Sequence, residues 1–163
     1  MSPDLASIKE LLRTHINSID NAPFKGMGSI CVHTGKLIKS ETTSSMIVDY
    51  LNDRFVVWFT SSPHPCTSIY KPFMFLPQFI DHYQDIQYAI ESSKEATLIS
   101  KKLIGNYSLF TKEIKPLKDK LESEFEGLVY KDLDNKGLID INIEFENLLD
   151  IEKGYSSIAL AGK

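Results

Sequence analysis

The stretch TTSSMIVDYLNDRFVVWFT, residues 42–60, decides how this chain folds. TTSSMIVDY, residues 42–50, alternates with a period of two, and FVVWFT, residues 55–60, is β-branched and aromatic throughout. Between them Asn52 and Asp53 favour chain reversal, and so short a connection forces the two runs antiparallel. Upstream, SICVH at 29–33 has a similar character and is set off by Gly35 and Lys36. The expectation is an antiparallel meander of strands at 29–33, 42–50 and 55–60. A strand apolar on both faces must be covered on both sides, which puts the sheet inside a layered sandwich.

Downstream, SSPHPCTSIYKPFMFLP at 61–77 contains Pro63, Pro65, Pro72 and Pro77. Proline gives no amide to a sheet ladder, so this stretch predicts an irregular segment or an edge, with a short strand at 68–70. Loops with fixed backbones often frame binding sites. Upstream of the sheet, Ser2 suits a helix N-cap and Pro3 the first helical position. Leu5, Ile8, Leu12 and Ile16, widened by Leu11, predict a helix over 3–15. Residues 17–28 carry Asn, Asp, Pro and Gly and read as a loop.

After Gln78 the pattern is helical. Tyr83, Ile86 and Ile90 form one stripe, and Ser92 with Glu95 fits a capping box ahead of Ile99 and Leu103. Gly105-Asn106 is a stop signal. Phe110, Ile114, Leu117, Leu121 and Phe125 make the clearest stripe, with Pro116 predicted to bend it or to lie near its first turn. In the segment 138–151, IDINIEF alternates like a strand while Ile141, Phe145, Leu148 and Leu149 fit a helix; helix is favoured because the strands cluster elsewhere. The fold class is therefore α+β. Residues 1–163 form a single domain, helix plus sheet over 1–80 and helical over 81–163.

Composition narrows the function classes. A hydrophobic fraction of 42% and a charged fraction of 25% are ordinary for a globular protein. The net charge of -4 comes from 18 basic and 22 acidic residues with no basic block, so nucleic acid and an anionic membrane surface are not expected partners. No apolar run reaches spanning length, and MSPDLASIKELLRTH reads as a helix start and not a leader, so a cytoplasmic protein is expected. Cys31 and Cys66 show no metal-ligand spacing and are expected as free thiols.

Four pieces carry a family likeness: LLRTH ending the first helix, SICVHTG at 29–35, TTSSM at 42–46 and WFTSSPHPCTSIYKPFMF at 58–75. In this order and spacing, over roughly the first half of the chain, they resemble the secernin-like cysteine dipeptidases, a branch of the amino-terminal-nucleophile hydrolases. The resemblance implies part of an αββα sandwich and hydrolysis of amide bonds, in dipeptides, by a cysteine at a mature amino terminus. There the α-amino group is the base. No metal or organic cofactor is implied. The chain begins Met1-Ser2-Pro3, and its first cysteine is Cys31. The expectation is a separately encoded or truncated carboxy-terminal portion, contributing sheet and substrate-pocket wall, incomplete and inactive alone.

Candidate residues follow. Cys31 and His33, two apart on an extended segment, share a face, as a thiol–imidazole pair requires; the competing reading of Cys31 is a small buried hydrophobe. His33, with Thr43 and Ser44 from the hydroxyl run 42–45, is a candidate for contacting a peptide. Ser68 and Lys71 close the proline-rich segment, Lys71 standing near the point where related acylases carry a supporting arginine. His64 and Cys66 are two soft ligands, too few for a closed zinc site, and read as part of a structural turn. Glu122, Glu124, Glu126 and Asp132, interspersed with lysines, read as a solvated helix face. Three functions compete: the dipeptidase portion, acting on a small peptide or amide once completed by its other half; a non-catalytic interaction module of secernin type; and a self-contained thiol hydrolase using Cys31 and His33. An uncovered sheet face would make the chain pair with its other half or with itself, as a homo-oligomer.

Overall fold

The computed structural model of the chain describes residues 4–16, 22–23, 29–35, 39–51, 54–60, 62–73 and 86–134. The fold is α+β, an open three-stranded antiparallel sheet with helices. Strand β1 is Ser45–Leu51 and β2 is Arg54–Thr60, paired antiparallel from Ser45 opposite Thr60 to Leu51 opposite Arg54. The two-residue connection expected at Asn52-Asp53 falls outside the described residues. Strand β3, Lys71–Phe73, pairs with β2 at the edge, with Pro72 opposite Trp58. The edge position tolerates a proline, as expected, although the strand begins at Lys71 and not within 68–70.

The expected first strand, 29–33, is not in the sheet. Its backbone is tied down by other means. The Cys31 amide donates to the Thr14 carbonyl at 3.3 Å, and the Thr42 amide to the Val32 carbonyl at 3.0 Å. The Thr42 hydroxyl accepts from the Val32 amide at 2.9 Å and donates to the Ile30 carbonyl at 3.3 Å. Thr42 thus caps this segment, and β1 starts at Ser45 and not at Thr42.

The first helix, α1, spans Leu5–Leu12 and is capped by the Asp4 side chain, which accepts from the Ser7 amide at 2.7 Å. The predicted cap Ser2 and Pro3 lie outside the described residues. Leu5, Ile8 and Leu12 pack against the core as the stripe requires. Leu11 and Ile16 are exposed, however, and the buried side chains at this face are Lys9 and Arg13. Helix α2, Ile86–Gly105, runs unbroken through the predicted capping box at Ser92 and ends at the predicted stop. It buries Ile99 and Leu103. The short helix α3, Tyr107–Leu109, leads into a π turn at Phe110–Ile114 and then α4, Lys115–Asp134. The π turn accommodates Pro116: the Lys115 amide reaches back five residues to the Phe110 carbonyl, so the widened turn relieves the proline ring's approach to the preceding turn. Phe110, Ile114, Leu121 and Phe125 are buried as predicted, but Leu117 is exposed and its neighbour Lys118 takes the inward position. The segment 138–151 and Tyr83 lie outside the described residues.

The inner face of the sheet presents Ile47, Val56 and Trp58, which join Ile69, Tyr70 and the buried residues of α2 and α4 in one core. Burying each of the larger side chains contributes about 1.5–3 kcal/mol. The outer face is different. Met46, Val48, Tyr50, Phe55 and Phe59 are exposed, Met46 at 61% and Tyr50 at 80%. The register sets Met46 opposite Phe59 and Tyr50 opposite Phe55, so these five side chains form a continuous apolar surface. Among the described residues no helix is long and apolar enough to cross a membrane.

Candidate functional site

Three irregular segments meet beside the inner end of the sheet: the exit of α1, the extended segment 29–35, and the proline-rich strap 62–70. Helix α1 ends with three-residue turns, the Arg13 amide donating to the Glu10 carbonyl and the Thr14 amide to Leu11, both at 3.1 Å. This delivers His15 inward. Alternation along 29–35 turns Cys31 and His33 inward, as their spacing predicts, while Ile30 is exposed. The strap supplies Cys66.

Anchoring of the strap is dense. His64 has φ of 62°, a left-handed backbone uncommon outside glycine, and stands between two prolines. Its amide donates to the Thr42 carbonyl at 2.9 Å. Its ring nitrogens meet Ser100 Oγ at 2.9 Å and Glu41 Oε2 at 3.1 Å. The Ser68 hydroxyl lies 2.6 Å from Ser62 Oγ and within bonding distance of the Pro63 and His64 carbonyls, at 3.1 and 3.0 Å. Arg13 closes the arrangement: Nε donates to the Pro65 carbonyl at 3.0 Å and Nη2 to the Ser68 carbonyl at 3.1 Å.

The Arg13 guanidinium also meets Glu122, whose Oε1 accepts from Arg13 Nη2 and, at 2.7 Å, from the Tyr70 amide. Lys118 lies 3.6 Å from Glu122 Oε2 and 2.8 Å from Asp119 Oδ1. One turn earlier on α1, Lys9 bonds Glu126 at 2.7 Å and sits 4.1 Å from the centre of the Trp58 ring. The expected solvated face is thus corrected at Glu122: its carboxylate is buried, because two α1 cations one turn apart need two carboxylates one turn apart on α4. Burial would raise the Glu122 carboxyl, but the Lys118 and Arg13 cations outweigh it and hold the group below the ordinary range.

Within the pocket so framed, His15, Cys31, His33 and Cys66 are all buried, and one ligand atom from each lies within 4.8 Å of every other. His15 Nε2 is 2.9 Å from His33 Nε2. The same His33 nitrogen is 3.5 Å from Cys31 Sγ and 3.6 Å from Cys66 Sγ. Both cysteines are free thiols, as expected. The His64 ring stacks on His33 with centroids 4.6 Å apart. Hydrogen bonding from Cys66, against the opposing effect of burial and with help from His15 and His33, pulls the Cys31 thiol well down; sharing that bond, and burial, push Cys66 up.

Of the residues singled out in the sequence, Cys31 and His33 are in contact and Ser68 is buried in the strap. Thr43 and Ser44 are exposed, whereas His33 is buried. Lys71 is half-buried on the edge strand, opposite Phe59. His64 and Cys66 do belong to a turn, but Cys66 also faces His15 and Cys31, whose contribution spacing did not suggest. A signal was present in composition: the chain has four histidines and two cysteines, and both cysteines and the three histidines among the described residues meet in this one place. Comparison with known proteins adds nothing further: no family model, no curated protein and no solved structure matches this chain.

Proposed function

We propose that this chain is the carboxy-terminal portion of a secernin-like amide hydrolase, and that its role is to complete a sandwich whose nucleophile lies on the other half. The reading is supported by one observation above the rest, the apolar outer face of the sheet made by Met46, Val48, Tyr50, Phe55 and Phe59. A two-layer sheet and helix unit stable by itself alternates apolar with polar residues and turns the polar set to water. Here the outward set on β1 and β2 is itself apolar, which suits a sheet that stacks on a second sheet about 10 Å away.

The occupant is accordingly a β-sheet with its own apolar face, the half bearing the nucleophile. The thiols present here are poor substitutes for that nucleophile: Cys31 and Cys66 are both buried, Cys31 completely. Burial of His33 and Ser68 favours the same division of labour, in which the motif residues shape the scaffold that stands behind a pocket. The same surface would serve the alternative, a non-catalytic interaction module, in which any partner presenting a complementary apolar sheet occupies it.

Mixing the chain with the cysteine-initiated half of a secernin-like dipeptidase tests this. The expected outcome is a one-to-one complex by light scattering and dipeptide turnover that neither half shows alone, both weakened by Tyr50→Lys with Phe59→Lys. A monodisperse monomer that ignores the other half at micromolar concentrations would sink the reading. Turnover by the isolated chain that Cys31→Ala abolishes would replace it with the thiol-hydrolase reading.

A further inference from the structure

We infer that His15, Cys31, His33 and Cys66 bind one zinc ion in a closed tetrahedral site that staples the end of α1, the segment 29–35 and the strap 62–70 together. The donor set carries the argument first. Two thiols and two imidazoles are the soft and borderline ligands zinc prefers, and Cys2His2 is a common structural combination.

Distances carry it next. With Zn–S near 2.3 Å and Zn–N near 2.0–2.1 Å, the edges of a tetrahedron are about 3.5–3.6 Å for N···S and about 3.3 Å for N···N. The Cys31 and Cys66 sulfurs stand 3.5 and 3.6 Å from the His33 nitrogen, on those edges. The His15–His33 edge, at 2.9 Å, needs to open by only a few tenths of an ångström. A two-iron cluster is a poor fit, since its four ligands divide between two metals and spread further than the 4.8 Å span observed.

Charge and burial fix the kind of site. Two thiolates and two neutral imidazoles cancel a dication, so the centre is neutral and can be buried where no water compensates it. All four ligands are buried, which leaves no open position for water or substrate and makes the site structural. The surroundings are already built. His33 is braced by the stacked His64 ring, and His64 is held by Glu41 and Ser100. The segments joined have no sheet ladder of their own, so a metal supplies the cross-link that their backbones lack.

This inference is independent of the hydrolase reading, and a zinc-loaded chain that stays monomeric when mixed with the other half would support the one and sink the other. The test is metal analysis of the full chain purified under reducing conditions, with native mass spectrometry for stoichiometry. About one zinc per chain is expected, with both thiols closed to a maleimide until a strong chelator is added. Refolding with Co2+ should give the visible absorption of tetrahedral cobalt and a near-ultraviolet thiolate-to-cobalt band. Cys66→Ser and His15→Asn should each weaken Co2+ binding by at least about tenfold. Should either variant fail to fold, the wild-type measurements decide. A folded, reduced chain that takes up neither zinc nor cobalt overturns the inference. Zinc retained at full stoichiometry by a folded Cys31→Ser, Cys66→Ser double variant also overturns it.

Discussion

Two cores lie side by side in this molecule and are built from opposite materials. Between the sheet, α2 and α4 the contacts are apolar: Trp58, Leu103, Phe110, Ile114, Leu121, Phe125 and Val129. Beneath α1 they are ionic and polar: Lys9, Arg13, His15, His33, Lys118 and Glu122, all buried. The difference teaches that the apolar core holds helices to a sheet, whereas the polar core ties α1 to α4 and also holds chain that has no regular structure. Irregular backbone leaves carbonyls and amides to be satisfied, and only polar side chains such as Arg13 and Thr42 can do that.

The contrast breaks most visibly at Glu122. Glu122→Gln removes the buried counter-charge of Arg13, leaving it the exposed Glu10 and leaving Lys118 only Asp119, and should cost about 3–5 kcal/mol in urea unfolding. Replacing Arg13, Lys118 and Glu122 together by Met, Met and Leu removes the charges but strips the Pro65 and Ser68 carbonyls and the Tyr70 amide of their partners, so it should still cost about 1–3 kcal/mol for each group left unpaired. In the apolar core, Leu103→Ala should cost about 2–5 kcal/mol and leave the charge network intact, so its penalty should be the same at neutral and mildly acidic pH.

The pH dependence sharpens the comparison further. The Glu122 carboxyl is held below its ordinary value by Lys118 and Arg13, which overcome the opposing effect of burial. Its folded pKa being depressed, its stabilisation is fully present above the unfolded value of about 4.3 and is lost as pH falls through the folded value. The stability difference between the wild type and Glu122→Gln should therefore be constant above about pH 5 and shrink below it, read from urea midpoints. The smallest effect is expected on the outer sheet face, where Tyr50→Thr should change stability by less than about 0.5 kcal/mol while reducing association measured by light scattering.

Legibility in the sequence divides along the same line. Period-two alternation and the Asn52-Asp53 reversal revealed β1 and β2, and helical spacing revealed the buried stripe of Phe110, Ile114, Leu121 and Phe125, because apolar burial repeats with the backbone's own period. Lys9, Arg13, Lys118 and Glu122 were missed for the complementary reason: a buried ion pair has the same letters as a solvated one, and only a partner more than a hundred residues away distinguishes them. Segment 29–33 was misread as a strand because its alternation is genuine, with Cys31 and His33 inward. Alternation reports an extended chain, and the ladder that would make it a strand depends on a neighbour that Thr42 replaced. Cys31 and His33 were recognised as a pair, whereas their convergence with His15 and Cys66 depends on tertiary structure that no local spacing encodes.

The pairing of α1 with α4 bears on how the chain is made. Lys9 meets Glu126, 117 positions later, and Arg13 meets Glu122, 109 positions later. At about 5–20 residues per second of synthesis, α1 waits roughly 6–23 s for its counter-charges to exist. During that interval its cations belong in water, and a short isolated helix of eight residues has little stability of its own. The nascent chain therefore leaves α1 without its partners until α4 has been made, a delay during which the apolar sheet is the surface a chaperone would meet first.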